Sequence, residues 1–138
     1  MATELYDLDL LHPWELSTPD AIDMVIECED AARQFNAKIS NSEGASLSSH
    51  QGVSVYGNSH GFLASYAGTR HSLSCSVIAS SEDDMQRDYW YTIARDAAQL
   101  SSASDIGQRA AQRAVERLNP RKVKTQKAKV LYLSLIHI

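Results

Sequence analysis

The sequence predicts an α+β fold in which an antiparallel β-meander is flanked by two amphipathic helices. Three observations carry this prediction: apolar residues recur at helical spacing after residue 20, they alternate with polar residues between Ala37 and Ala79, and helical spacing returns near residue 105. With 138 residues, of which 43% are hydrophobic, the chain is long enough to bury one core.

The first helix is predicted to begin at Ser17–Asp20 and to end near Asn36. The hydroxyl side chains can cap the free amides, Pro19 suits the first helical position, and Asp20 favours the positive end of the helix dipole. Residues 1–16 are predicted to be an extended, acidic and apolar lead-in. The apolar face of the helix is formed by Ile22, Val25, Ile26, Ala32 and Phe35.

Alternating runs predict three or four strands between Ala37 and Ala79. The strand-like runs are Lys38–Ser40, Val53–Tyr56 and Leu73–Val77, and the turn-forming residues between them are Asn41–Gly44, Gly57–Gly61 and Gly68–Thr69.

An acidic loop is predicted at Ser80–Asp84, and a further strand at Gln86–Ala94. In that strand Trp90 lies on one face, whereas Tyr89, Tyr91 and Ile93 lie on the other. A bend into helix is allowed at Arg95–Leu100.

The second helix is predicted from about Asp105 to Leu118, with Ser104 or Asp105 as its cap and Asn119-Pro120 as its stop. Its buried stripe comprises Ile106, Ala110, Ala111, Ala114, Val115 and Leu118, whereas Arg109, Arg113 and Arg117 are expected on a solvated face.

The C-terminal part is basic. Residues 104–138 hold eight Lys or Arg and two acids, whereas residues 1–35 hold nine acids and one base. We divide the chain into residues 1–120, a partial N-terminal α+β domain, and residues 121–138, a basic junction followed by the start of a second domain. A strand is predicted to begin at Val130–Leu133, and residues 133–138 are expected to be non-native.

Five histidines raise the question of a metal site. The zinc-peptidase pattern needs two His one helical turn apart with a Glu between them, and no pair here has that spacing. A site built from Glu43, His60 and His71 is disfavoured against the simpler interpretation that His50, His60 and His71 bond to backbone carbonyls in tight turns.

The sequence also gives little evidence for a nucleophilic catalytic site. A serine could be combined with His71 and Asp88, but the sequence has no Gly-x-Ser-x-Gly elbow. Cys28 lies among carboxylates that disfavour a thiolate, and Cys75 alternates with apolar residues, so both are expected to be reduced core thiols. Gly57–Gly61 could cradle a phosphate, although a hairpin connection is favoured.

The basic residues Arg109, Arg113, Arg117, Arg121 and Lys122 form the only candidate basic patch. Base-stacking aromatics lie elsewhere in the sequence, and the net charge is −4. Nucleic acid is therefore not the expected partner. A regulatory or interaction module that contacts nucleic acid through residues 109–129 is the alternative hypothesis.

Several runs resemble one known family. NSEG at Asn41–Gly44, GNSHG at Gly57–Gly61 and TRHSLS at Thr69–Ser74 are similar to the PmbA (TldE) side of the TldD/PmbA metallopeptidases, and the resemblance continues through Arg87–Ile93 and Asn119–Val123. It extends from about Asp7 to Val130.

The resemblance implies a cytoplasmic, non-catalytic subunit that pairs with a TldD-type partner and helps to process peptides or unfolded proteins. The partner would carry the metal, expected to be zinc, in a His-Glu-x-x-x-His motif. No catalytic, cofactor-binding or metal-binding residue is carried over to this chain, which resembles a fragment of a longer subunit. No membrane segment is expected.

Overall fold

The computed structural model describes residues 6–130 and contains the predicted α+β fold. Helix α1 spans Thr18–Phe35, strand β1 Ile39–Gly57, strand β2 Leu63–Ser80, strand β3 Met85–Ala94 and helix α2 Ala103–Glu116. A single 3-10 turn at Ala97–Gln99 lies within the region where a bend into helix was allowed. The lead-in before α1 has no regular secondary structure in its described part, residues 6–17.

The three strands form an antiparallel sheet in the order β1-β2-β3. In its register, Leu47 pairs with Leu73, and Leu73 also pairs with Thr92. Strand β3 pairs with β2 only between His71 and Ser80. The β1–β2 hairpin therefore continues past β3 as two strands, and we call residues 51–69 the hairpin arm.

The hairpin connection predicted at Gly57–Gly61 is confirmed. The Asn58 amide donates to the Phe62 carbonyl at 3.0 Å, and the Asn58 side-chain oxygen accepts from the amides of His60 and Phe62. Gly61, with φ of 85°, takes up a left-handed conformation that a glycine adopts without strain. These bonds close the turn with its own side chain, so no phosphate is needed to explain the motif.

Two other predicted turns are wrong. Asn41–Gly44 lies inside β1, where two register shifts absorb the irregular residues and Gly44 has φ of 101°. Gly68–Thr69 lies inside β2. A Cβ atom at Gly68 would lie 3.5 Å from that of Leu10, so this glycine provides room for the lead-in and does not form a bend. The region from Ala37 to Ala79 consequently holds two long strands, β1 and β2, and the prediction of three or four strands there is wrong.

Both helices pack on one face of the sheet. Every second residue of β2 from Thr69 to Ala79 is buried, and those from Leu73 to Ala79 share one core with the helices. The helices also pack closely on each other, because a Cβ atom at Gly107 would lie 2.0 Å from the Cys28 carbonyl oxygen. The core is completed by Cys28, Ala32, Ile106, Ala110, Ala111 and Ala114.

The helix boundaries follow from their caps. Helix α1 begins as predicted, with the Ser17 hydroxyl accepting from the Asp20 amide at 3.2 Å. Helix α2 begins two residues before the predicted start, because Ser102 is the cap, accepting from the Asp105 amide at 3.1 Å, and the neighbouring Ala103 is buried in the first turn. Several serines precede this helix, and the hydroxyl pattern alone did not distinguish them.

The other face of the sheet carries no helix in the described part of the chain. Tyr89, Tyr91 and Ile93 are exposed there, whereas Trp90 is half-buried on the helix side, which confirms the predicted alternation of β3. Neither helix within residues 6–130 is long and apolar enough to span a bilayer. The strand predicted at Val130–Leu133 lies, after its first residue, outside the described residues, as do residues 133–138.

Candidate functional site

A groove of about 790 Å³ lies between the lead-in and the hairpin arm. Residues 6–11 form one wall, and residues 54–56 and 64–67 of the arm form the other. Tyr56 and Tyr66 are each about 60% exposed on the arm, at 62% and 59%. A groove of this size, with mostly apolar walls and a few polar groups, is typical of a ligand site.

Thr69 fixes the lead-in to the sheet at the inner end of the groove. Its backbone amide donates to the Leu10 carbonyl at 2.8 Å. Its hydroxyl accepts from the His12 amide at 2.9 Å and donates to the Arg95 carbonyl at 2.8 Å. Because Thr69 is 1% exposed, these bonds are shielded from water and hold the segment in one position.

His71 makes the second anchor, two residues further along β2. Its Nε2 lies 3.0 Å from the His12 carbonyl oxygen and must donate to it, so Nδ1 is left to accept from the Ser49 hydroxyl at 2.9 Å. Trp14 packs edge-on against the imidazole, with ring centroids 5.3 Å apart. The predicted bond from His71 to a carbonyl is confirmed, although it forms on a strand and not in a turn.

Two acids of the groove wall are held by local hydrogen bonds. The Asp9 amide donates to the Asp7 carboxylate at 3.0 Å, and the Asp9 carbonyl accepts from His12 Nε2 at 2.9 Å. Asp9 has φ of 50°, a left-handed conformation that Asp tolerates better than most residues. Both carboxylates are exposed, and among the described residues they are the only charged side chains that line the groove.

The combination of a serine with His71 and Asp88 is not formed. Asp88 belongs instead to an ion cluster between β3 and α2, in which Arg113 approaches its carboxylate at 3.2 Å and Arg117 at 3.3 Å. Burial alone raises the pKa of Asp88. The Tyr89 amide and the two guanidiniums outweigh that effect and hold the pKa below its usual range.

The basic patch differs from the prediction in two respects. Arg113 and Arg117 are paired with Asp88, so they are not simply solvated. Trp90, which is distant from the arginines in sequence, packs under Arg109 and Arg113, with the guanidinium carbons 5.6 and 5.1 Å from the ring centroid. Sequence distance concealed this contact, because β3 and α2 are adjacent in space. Residues 121–130 are exposed throughout.

The described residues do not fit a metal ion. Within residues 6–130, no three His, Cys, Asp or Glu side chains converge. Glu43 accepts from the Ser76 hydroxyl at 2.7 Å and from Arg87 at 3.0 Å, and these two contacts lower its pKa. The prediction that the whole chain has no catalytic, cofactor or metal residue stays a prediction.

Cys28 and Cys75 are buried free thiols of the core, as predicted. A hydrogen bond with Cys75, together with burial, raises the pKa of the Cys28 thiol far above that of a free cysteine. The hydrogen bond with Cys28 lowers the pKa of the Cys75 thiol, against the effect of burial. Both thiols are nevertheless buried in the core and do not line the groove, so neither residue contributes to the candidate site.

Comparison with known proteins identifies the family. The model of the PmbA/TldA metallopeptidase central domain matches residues 11–118. The chain belongs to the PmbA/TldD metallopeptidase family. It is 48% identical over 132 residues to Metalloprotease PmbA of Escherichia coli O157:H7, and 45% identical over 134 residues to the Metalloprotease PmbA homolog of Haemophilus influenzae. The resemblance stated from the sequence is confirmed.

The match to these PmbA relatives covers 96% and 97% of this chain but only 29% and 30% of their length. Two solved structures share the fold. One is a putative modulator of a DNA gyrase from Thermotoga maritima, with a TM-score of 0.79 and 18% identity, and the other a putative modulator of DNA gyrase from Bacteroides thetaiotaomicron, with a TM-score of 0.78 and 23% identity. Each match covers 89% of this chain, and 28% and 29% of the respective structures.

Proposed function

We propose that this chain is the central, non-catalytic part of a PmbA-type subunit in a cytoplasmic metallopeptidase complex. It pairs with a TldD-type partner that holds the divalent metal, zinc, and it helps to confine peptides or unfolded segments for cleavage. The observation that carries the proposal is the family match over residues 11–118, joined to the lack of any three converging metal-ligand side chains within residues 6–130.

The geometry suits a role in binding. The groove offers aromatic and aliphatic side chains beside polar backbone, which is the composition of surfaces that receive a polypeptide. The part of the chain between Glu43 and Arg70, which includes the arm, has no Asp, Glu, Lys or Arg. A surface depleted of charge can be covered by another chain without a large desolvation cost.

The test mixes the purified chain with a TldD-type subunit and follows both by size-exclusion chromatography and by cleavage of an unfolded protein. We expect co-elution, chelator-sensitive cleavage only when the TldD-type subunit is present, and no cleavage by this chain alone with added zinc. Separate elution of the two proteins would refute the pairing. Chelator-sensitive cleavage by this chain alone would refute the non-catalytic role.

The nucleic-acid alternative loses support from the ion cluster. Two of its arginines share the single negative charge of Asp88, and a third stacks on Trp90. The exposed connector at residues 121–130 is therefore the main cationic segment left to contact phosphates. Strongly salt-dependent binding of duplex DNA, weakened by substitution of Lys124 and Lys127, would favour this alternative.

A further inference from the structure

Strand β1 forms one edge of the sheet, and within residues 6–130 only β2 pairs with it. Both register shifts of β1 fall between Ile39 and Gly44, so its remaining part, Ala45–Gly57, pairs regularly. This part contains no Asp, Glu, Lys, Arg or Pro. Charged residues, prolines and bulges are the features that normally keep an edge strand from pairing with another chain. Ala45–Gly57 is therefore an edge open to pairing.

Alternate residues of this edge direct their backbone groups outward. The Thr69 amide points away from β1, because it donates to the Leu10 carbonyl. Gln51 lies opposite Thr69 in the β1–β2 register. Facing residues of an antiparallel pair either bond to each other or both turn away, so the N–H and C=O groups of Gln51 also point outward. The same holds for every second residue between Ala45 and Gly57.

Exposed apolar side chains accompany these backbone groups. Val53 and Val55 are 69% and 67% exposed. They lie on the same face of β1 as Leu47, which packs against the core on the helix side of the sheet. The helices do not bury the two valines, so this face of the edge can accept apolar side chains from another strand.

Helix α1 carries a second apolar surface above the same edge. Ile22 and Ile26 are 50% and 51% exposed. At about 100° per residue, they lie on the flank of α1 opposite Ala31, which lines the cleft between α1 and α2. Because α1 packs mainly on β1, and α2 on β2 and β3, the flank away from α2 lies over the outer edge of β1.

We propose that this edge pairs with the β1 edge of a second copy of the chain, antiparallel, about a two-fold axis at Gln51. Gln51 is the midpoint of Ala45–Gly57, so this register uses the full length of the regular stretch. The two three-stranded sheets then form one continuous sheet. A two-fold interface uses the same surface on both copies. The association is separate from the pairing with a TldD-type partner and goes beyond the proposed function.

The facing residues of this register suit one another. Val55 of one copy faces Leu47 of the other, which brings the valine beneath the exposed isoleucines of α1. His50 faces Gly52, which has no side chain to oppose the imidazole. No charged residue faces a like charge, because the stretch contains none.

A TldD-type subunit is the competing occupant of this edge. Electrostatic complementarity is what usually selects a different partner over a second copy. From Ala45 to Thr69 the chain has no Asp, Glu, Lys or Arg with which to make that selection. Apolar and hydroxyl-bearing residues can face their own equivalents without repulsion, so the composition of this edge favours the second copy.

The first experiment follows the full 138-residue chain by sedimentation velocity between about 1 and 100 μM. We expect a concentration-dependent dimer. Gln51→Pro removes an outward donor but no bond to β2, so it should weaken dimerisation by at least about tenfold. Gln51→Thr keeps the amide and is the matched control, and circular dichroism checks that each variant is folded.

A charge exchange tests the two-fold axis. Position 51 faces its own equivalent, so Gln51→Lys alone and Gln51→Glu alone should each weaken dimerisation by at least about tenfold. An equimolar mixture of the two variants should recover the dimer, because opposite charges then face each other. Gln108→Lys, at an exposed glutamine of α2, is the control and should leave the dimer unchanged.

Cross-linking tests the register. The facing Cα atoms at position 51 would lie about 5.5 Å apart, within the range that a disulfide spans. Gln51→Cys should therefore give a covalent dimer under mild oxidation. Ser48→Cys is the control, because residue 48 lies three positions from the axis and about 20 Å from its equivalent. The parent chain reports any contribution of the buried Cys28 and Cys75.

A monomer at every concentration, a dimer indifferent to Gln51→Pro, or no recovery in the Lys–Glu mixture would overturn the inference. Equal cross-linking of Gln51→Cys and Ser48→Cys would do the same. If the chain alone stays monomeric and Gln51→Pro abolishes co-elution with the TldD-type subunit, the edge belongs to that subunit and the inference is wrong. Dimerisation without such co-elution would remove the proposed pairing and leave this inference standing.

Discussion

At the scale of single residues, the polar groups of the core are those whose partners are distant in sequence. His71 bonds to a segment 59 residues before it, and Asp88 to arginines 25 and 29 residues after it. The sequence identified both residues as notable, disfavoured a serine site built from them, and correctly predicted a bond from His71 to a backbone carbonyl. Their true partners could not be predicted, because the packing of α2 on β3 decides which charges meet.

Asp88→Asn should destabilise the fold, by about 1–3 kcal/mol near neutral pH, because it removes the charge that compensates Arg113 and Arg117 at a buried position. We place the value below that of a fully buried pair because both arginines are partly exposed. Arg113 Nε is buried and has no hydrogen-bond partner among the described residues, so this side chain depends on Asp88.

The pH dependence of the same variant has a definite sign. The folded pKa of Asp88 is lowered, so its contribution is fully present above the unfolded pKa of about 3.9 and is lost as pH falls through the folded value. Urea unfolding between pH 2.5 and 7 should therefore show a smaller acid-side loss of stability for Asp88→Asn than for the parent chain. Glu82→Gln, in the exposed β2–β3 loop, is the control, and an equal loss of stability in both variants would contradict the role assigned to Asp88.

At the scale of elements, the helices were predictable and the strand lengths were not. The caps and periodicity of α1 predict its bounds correctly, because both are local signals. Its apolar face was predicted less well, since Ile22, Ile26 and Phe35 are exposed. The predicted turns at Asn41–Gly44 and Gly68–Thr69 failed for another reason. A bulge and a close backbone approach use the same residue types as a turn, and only the paired strand distinguishes them.

Gly107→Ala tests the helix–helix contact. Alanine favours an isolated helix by about 1 kcal/mol over glycine, so a helix governed by propensity alone would gain stability. Here the added methyl would collide with the Cys28 carbonyl of α1, so we expect a net loss of about 1–3 kcal/mol in the free energy of unfolding, measured by thermal or urea denaturation.

Gly52→Ala provides the comparison. Its added Cβ would meet only the side chain of His50, at 3.1 Å, and that side chain can move aside. A small effect is expected there. A stabilised Gly107→Ala protein would mean that α1 and α2 are not in close contact.

At the scale of the whole molecule, the sequence predicted the fold class and the family but not the candidate groove. The groove arises where the lead-in leaves β2, and no local pattern marks that divergence. One sequence signal for the groove was nevertheless present. The run between Glu43 and Arg70 has no charged residue but contains tyrosines and valines. A short meander would have buried these side chains, whereas they are exposed on the hairpin arm. The division of the chain after residue 120 stays a prediction.

Limited trypsin digestion tests that division. Arg121, Lys122, Lys124, Lys127 and Lys129 are exposed in a segment without regular structure, whereas the earlier cleavage sites lie in helices, in strands or at their ends. We expect mass spectrometry to show early cuts in residues 121–129 and a persistent product that retains residues 6–117. Early cleavage at Arg70 or Arg87 would show instead that the sheet opens before the connector is cut.

The Asp88 cluster also determines the register in which β3 pairs with β2. Neighbouring side chains on a strand point to opposite faces, so a slip of one residue would turn Asp88 outward and leave Tyr89 or Arg87 against the two guanidiniums. The hydroxyl-rich neighbour strand would tolerate such a misalignment, since serines recur at every second position from Ser72 to Ser76. The Asp88 carboxylate therefore specifies one register of β3 and disfavours the registers shifted by one residue.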